Sequence, residues 1–281
     1  MIDIDRIDHQ LASAVTGAVA PVGRTPAPPP PPAAGRAIRK RDRRAAPSMS
    51  VPELLELGLM DEAEVAIAAA TDPRDALTWT IMRGLLVGDR STVAAGIAKL
   101  RQDSGAEDRC WAQRFWAAVA WGKDEERYDV LDHCRTRAYR FDDVQWWGNL
   151  TLLLAVMGKQ DEALRAFDEA SAGLPGAAKH PAWLDVVTNL IEAASVLGDR
   201  GRVAAAGRSL RWPEDRLVVV GPGVVCKGSV ERYRALVHVA NGRWDQAADC
   251  FRRAESIHRA IGAGPLLQRT LQQASVMSFA A

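Results

Sequence analysis

The sequence predicts an all-α fold, a superhelical solenoid of about six helical hairpins, and three observations predict it. Six glycines recur in one setting: Gly58, Gly88, Gly122, Gly158, Gly198 and Gly242 each follow a largely apolar helical stretch and precede a second one. Their intervals of 30, 34, 36, 40 and 44 residues suit one supersecondary unit repeated until a continuous core is buried. The stretches after the glycines also share a register. Five residues on stand Ala63, Val93, Arg127, Ala163, Val203 and Ala247; nine on, Ile67, Ile97, Leu131, Phe167, Gly207 and Phe251; twelve on, Ala70, Leu100, Cys134, Ala170, Leu210 and Ala254. Offsets of five, nine and twelve lie on one helical face, and only Arg127 breaks its pattern of small or apolar residues. The stretches before the glycines are apolar on one side as well, as with Leu150, Leu153, Leu154 and Met157 before Gly158.

Along the chain, residues 1–48 form a tail and residues 49–281 the solenoid. One short helix is expected over residues 3–20. Pro26 and Pro28 to Pro32 then make a proline run, and Arg36, Arg39, Lys40, Arg41, Arg43 and Arg44 a basic cluster with almost no apolar residue. Such a segment buries too little surface to offset its ordering entropy, so disorder is expected. From Met49 the hairpins begin. Each glycine supplies the left-handed conformation that ends the first helix. Asp61, Asp161 and Asp245, three residues on, are expected to cap the second. Leu217 to Ser229, LVVVGPGVVCKGS, is expected to be a long connector ending at Ser229, which caps the next helix. Pro265 after Gly264 starts a final helix, whose apolar end (Val276, Met277, Phe279) is expected to fold back on Phe251 or to dock on another chain.

Two segments, GKQDEALRAFDEA (Gly158 to Ala170) and GRWDQAADCFRRA (Gly242 to Ala254), resemble a tetratricopeptide-type repeat. Pro175 stands where that family often places a proline after the second helix. The lengthening intervals, with VVVGPGVVCKGSVERY, NGRWDQAADCFRRAESIHRAIGAGP and LLQRTLQQ near the C-terminus, look like the irregular repeats of large bacterial signalling ATPases and MalT-like transcription activators. The resemblance implies a cytoplasmic, bacterial role in signalling or transcription regulation. It also implies a partner in a separately encoded ATPase or DNA-binding chain.

Composition narrows the classes. Apolar content is 48%, charged content 25% and net charge +1, as in ordinary globular chains, so global charge predicts no nucleic-acid partner. Residues 1–44 carry a net +4, which leaves about −3 on the remainder. Cys110, Cys134, Cys226 and Cys250 have no metal or redox spacing and read as buried thiols. No apolar run reaches about 18 residues, so no membrane helix is expected.

No catalytic, cofactor-binding or metal-ligating constellation emerges. LVVVGPGVVCKGS imitates a phosphate-binding loop, but Cys226 and Gly228 flank Lys227 where that loop needs Gly and Ser/Thr. His133 and Cys134 are adjacent, and helical neighbours point about 100° apart. Nine tryptophans are present, six of them (Trp79, Trp111, Trp116, Trp146, Trp147 and Trp183) in first helices. In tetratricopeptide-like folds those helices line the concave surface. There aromatic anchors suit a partner segment, the competing role being packing between helices. Helical phase puts Arg109, Trp116, Gln145, Thr188, Glu192 and Arg232 toward that groove. The expected function is a non-catalytic interaction or regulatory scaffold that binds a protein or peptide segment there. The alternative is a detached sensor or effector-binding part of a signalling system, and the C-terminal helix offers a route to a homo-oligomer.

Overall fold

The computed structural model describes residues 49–177, 182–211, 213–221 and 223–275. The tail of residues 1–48, with its expected helix and disorder, Trp212, and the apolar end at Val276, Met277 and Phe279 lie outside the described residues. The described chain forms thirteen α-helices and one two-stranded sheet. The helices are α1 (Val51–Glu56), α2 (Met60–Ala68), α3 (Pro73–Val87), α4 (Arg90–Leu100), α5 (Glu107–Trp121), α6 (Asp124–Phe141), α7 (Val144–Val156), α8 (Gln160–Ala177), α9 (Trp183–Val196), α10 (Arg200–Gly207), α11 (Val230–Ala240), α12 (Trp244–Ala260) and α13 (Gly264–Ser275). Between α10 and α11 lie β1 (Leu217–Val220) and β2 (Val225–Ser229).

Five of the six recurring glycines are left-handed, with φ from 70° at Gly242 to 84° at Gly88. Gly122 is not: its φ is −58°, and the chain leaves α5 extended. A Cβ there would stand 2.6 Å from the Ala118 carbonyl oxygen, so this position needs glycine for space. The expected caps are corrected too. Asp61, Asp161 and Asp245 stand in the first turns of α2, α8 and α12, where their charge suits the positive helix end. The N-cap positions of α2 and α12, Leu59 and Arg243, make no side-chain cap bond. Side-chain caps come instead from Asp72, Asp89, Asp143, Asp199 and, as expected, Ser229. The backbone of α8 runs through position 175, so the expected proline stop lies inside the helix.

The register of the second helices sets the packing at offset five; at offset twelve Ala70 is exposed beyond the end of α2, and Leu210 is half-buried beyond the end of α10. All six residues at offset five are buried, Arg127 included. Its Nε donates to the Ala118 carbonyl at 3.2 Å, which satisfies the one polar group on that face. Helices α3, α5, α7, α9 and α11 pack side by side in sequence order, and each packs on the helix that follows it. The largest core runs from α5 to α12 and holds Phe115, Leu131, Leu152, Phe167, Ile191 and Phe251, while α3 and α4 pack in separate clusters.

An all-α chain was expected; the described chain is mostly helical, but Leu217–Ser229, expected to be a connector, is not. It is an antiparallel hairpin with Leu217 opposite Ser229 and Val220 opposite Val225. Both of its faces are buried. Leu217 and Cys226 join Leu55, Met82 and Ile261 in a second apolar cluster, while Val220, Val224 and Val225 sit against Leu85, Ala112 and Trp116. Helix α13 packs on α12 and on α3. A Cβ at Gly88 would lie 3.1 Å from Pro265. The N-terminal helices, the hairpin and the last helices therefore share one apolar cluster.

Candidate functional site

One face of the stacked first helices carries a polar ladder. Thirteen residues before successive turn glycines stand Asp75, Arg109, Gln145 and Asp185; nine before stand Trp79, Gln113, Asn149 and Asn189. Positions four apart share a helix face, and stacking brings successive units together. Arg109 Nη1 meets Asp75 Oδ1 at 2.6 Å. Gln145 Nε2 donates to Asp185 Oδ2 at 3.3 Å, and Asn189 Nδ2 to Asn149 Oδ1 at 2.8 Å. Gln113 Nε2 donates to the carbonyls of Thr78 at 2.9 Å and Val224 at 3.0 Å, tying α3 and α5 to the hairpin.

Into this ladder β2 inserts Lys227, whose side chain is fully buried. Its Nζ reaches Asp185 Oδ1 at 2.9 Å, Thr188 Oγ1 at 2.5 Å and Asn189 Oδ1 at 2.7 Å. The Trp116 ring lies 4.8 Å from the same ammonium. Burial pulls the lysine toward its neutral form, and Asp185 opposes that. One turn further along α9, Glu192 is held by two guanidinium groups, Arg232 Nη2 at 3.0 Å and Arg269 Nη2 at 2.6 Å. Burial alone would raise its pKa; Arg232 and Arg269 overcome that and hold it at about 2. Arg232 is pushed above its ordinary value, burial being outweighed by Glu192. Glu231, also buried, meets Arg234 at 3.0 Å and Arg253 at 2.9 Å.

His258 on α12 closes the arrangement. Its Nε2 accepts the Ser229 backbone N–H at 2.8 Å. The proton therefore sits on Nδ1, 3.0 Å from Thr270 Oγ1, and the Thr270 hydroxyl donates in turn to the Leu266 carbonyl at 2.8 Å. Gly228 makes the approach possible. Its φ is +86°, and a Cβ there would lie 2.4 Å from His258 Nε2. Gly228→Ala is expected to lower stability by about 1–3 kcal/mol from backbone strain alone, with displacement of the ring added. Thermal unfolding of the variant checks this, and an unchanged midpoint would refute it.

Of the six groove residues expected from the sequence, Thr188, Glu192 and Arg232 are fully buried around the chain's own β2 and α13. Trp116 and Gln145 are half-buried at the edge of the same network, and Arg109 lies further along α5, paired with Asp75. Several tryptophans pack instead: Trp79, Trp146 and Trp147 are buried, and Trp111 stacks on His133 at 3.8 Å. Sequence reasoning missed Asp185, Asn149, Asn189, Lys227, Arg269 and His258. The first three were readable by counting back from the glycines.

Chemically, the network holds cations through buried carboxylates. Burial pushes the Cys226 thiol up to about 11 and raises that of Cys134 as well, which keeps both protonated and poorly nucleophilic. Among the described residues no group of three or more His, Cys, Asp or Glu is placed to hold a metal, and no helix is long and apolar enough to cross a membrane. Comparison with known protein families, with curated proteins and with solved structures gives no match.

Proposed function

We propose that the chain is a non-catalytic interaction module, a tetratricopeptide-like helical-repeat solenoid of about six hairpins that binds a protein segment along its inner helices. One observation carries this reading: equivalent positions of successive first helices form a polar ladder, and that ladder already grips an extended segment, the chain's own β2, through Lys227. Side-chain clamps of that kind suit a peptide strand. The hairpin fills the part of the ladder near Gln113, Thr188, Glu192 and Arg232, and the half-buried Arg109 and Gln145 at its edge are left for a partner.

The test is capture from native lysate by the full chain and by its Arg109→Ala and Gln145→Ala variants. Both side chains sit at the edge of the fold, so the variants keep it. A retained protein whose purified form binds the full chain directly, and binds either variant about tenfold more weakly, is the expected result. A partner that binds both variants as tightly as the parent, or no partner at all, would overturn it.

A further inference from the structure

Helix α13 is attached differently from every other helix that reaches the ionic network. Its only fully buried residue is Thr270, whereas α11 buries Val230, Glu231, Arg232, Tyr233, Ala235 and Leu236. Its Arg269 reaches inward from a position 28% exposed to a Glu192 side chain that is 1% exposed. Between α12 and α13 lies an open pocket of about 280 Å³, lined by Phe251, Leu271 and Ala274 together with Arg252, Glu255 and Thr270. The helix is joined to α12 through Gly262, left-handed at φ +66°.

The charges beneath α13 do not depend on it. Without Arg269 the network retains Lys227 with Asp185 and Arg232 with Glu192, two cations and two carboxylates. Arg232 approaches Glu192 Oε2 most closely, while Arg269 takes Oε1. Lifting α13 would uncover Oε1, the Arg232 Nη1 now 3.4 Å from Gln273, and the His258 Nδ1 now on Thr270. No carboxylate would lose its only counter-charge, and loss of the only counter-charge is what makes breaking a buried pair costly.

We propose that α13 is a displaceable lid, and that the seat it leaves receives an amphipathic helix of a partner protein carrying an arginine in the place of Arg269. The seat is complementary to such a helix: one carboxylate oxygen for a guanidinium, an imidazole N–H for a hydroxyl or carbonyl, and an apolar strip of Phe251 and Ala248. Helix-in-groove recognition lays the apolar face of an amphipathic helix into such a seat. The proposal rests on the interaction-module reading above and names the partner's chemistry.

Two measurements test it. Hydrogen exchange on the unaltered full chain should show the α13 amides exchanging at least about tenfold faster than those of α9 and α11, through local opening. A labelled synthetic peptide with the sequence of residues 262–275 should bind full-length Arg269→Ala chain at least about tenfold more tightly than wild type. The same peptide with glutamate in place of its arginine should bind neither. Protection of α13 equal to that of α11 overturns the lid even if Arg269→Ala fails to fold. Equal peptide binding by variant and wild type, or retained binding of the glutamate peptide, overturns the seat. Failure here leaves the Arg109 and Gln145 capture result standing, whereas loss of that result sinks the module reading whatever α13 does.

Discussion

Lys227→Met is expected to lower folding stability by about 3–5 kcal/mol, the range for stranding one member of a buried ion pair. Methionine matches the length of the lysine stem and keeps its packing, so the change isolates the ammonium. Its loss leaves Asp185, itself 2% exposed at the side chain, with Gln145 Nε2 at 3.3 Å as its main side-chain donor. It also leaves Thr188 and Asn189 without the cation that both accept from. A Lys227→Met/Asp185→Asn double variant should regain more than half of the loss, because no charge is then stranded. By contrast Lys159→Ala, which breaks a half-exposed pair with Glu162 at 3.7 Å, should cost no more than about 1 kcal/mol. Urea unfolding with an unchanged m-value reads all three. A Lys227→Met chain as stable as the parent would refute the stabilising role assigned to this pair.

The same residues show how much was legible beforehand. The glycine register located the turns at Gly58, Gly88, Gly122, Gly158, Gly198 and Gly242, five of them left-handed as expected, because a residue that ends a helix acts locally and leaves a local mark. The buried face of the second helices was equally plain at Ala63, Ala163 and Ala247, since a period of 3.6 needs no knowledge of what lies opposite. The β-hairpin was hidden differently. The run Leu217 to Val220 is β-branched and suits a strand, but within a helical-repeat pattern it read as connector. Its strand character depends on Leu55, Ile261 and Trp116, residues remote in sequence.

The groove residues fared in the same way. Helical phase put Thr188, Glu192 and Arg232 on a shared face toward a groove, and all three are buried in the structure. What phase cannot state is whether that side faces water or another part of the chain. Here β2 and α13 return to fill it, through pairs about 40 residues apart in sequence such as Glu192–Arg232 and Asp185–Lys227. A buried cation next to glycines looks in sequence like a phosphate loop or a spacer. Only the partners of Lys227 show that it is an internal counter-charge.

Acid should destabilise the fold well before most carboxylates titrate, and His258 is the main cause. Burial first, then the nearby Arg232, lowers its pKa to about 3 in the folded chain, against about 6.5 when unfolded. A histidine with a depressed folded pKa binds its proton in the unfolded state first. Its contribution is therefore intact above pH 6.5 and is lost as pH falls from there toward 3. The loss amounts to about 1.4 kcal/mol per pH unit, or about 4 kcal/mol over three units. Geometry explains it: protonation would set a second N–H against the Ser229 N–H at 2.8 Å. His133, drawn down to about 4 by burial and Arg137, and His238, lowered by burial, act in the same direction. Glu192 adds its own loss only as pH falls below about 4.5. His258→Gln keeps an acceptor for Ser229 but cannot take up a proton. It should be less stable than wild type at pH 7.5, and its stability should fall less steeply between pH 6 and 4, by about one proton's worth of slope. Parallel pH profiles for the two chains would show that His258 is not the group that titrates.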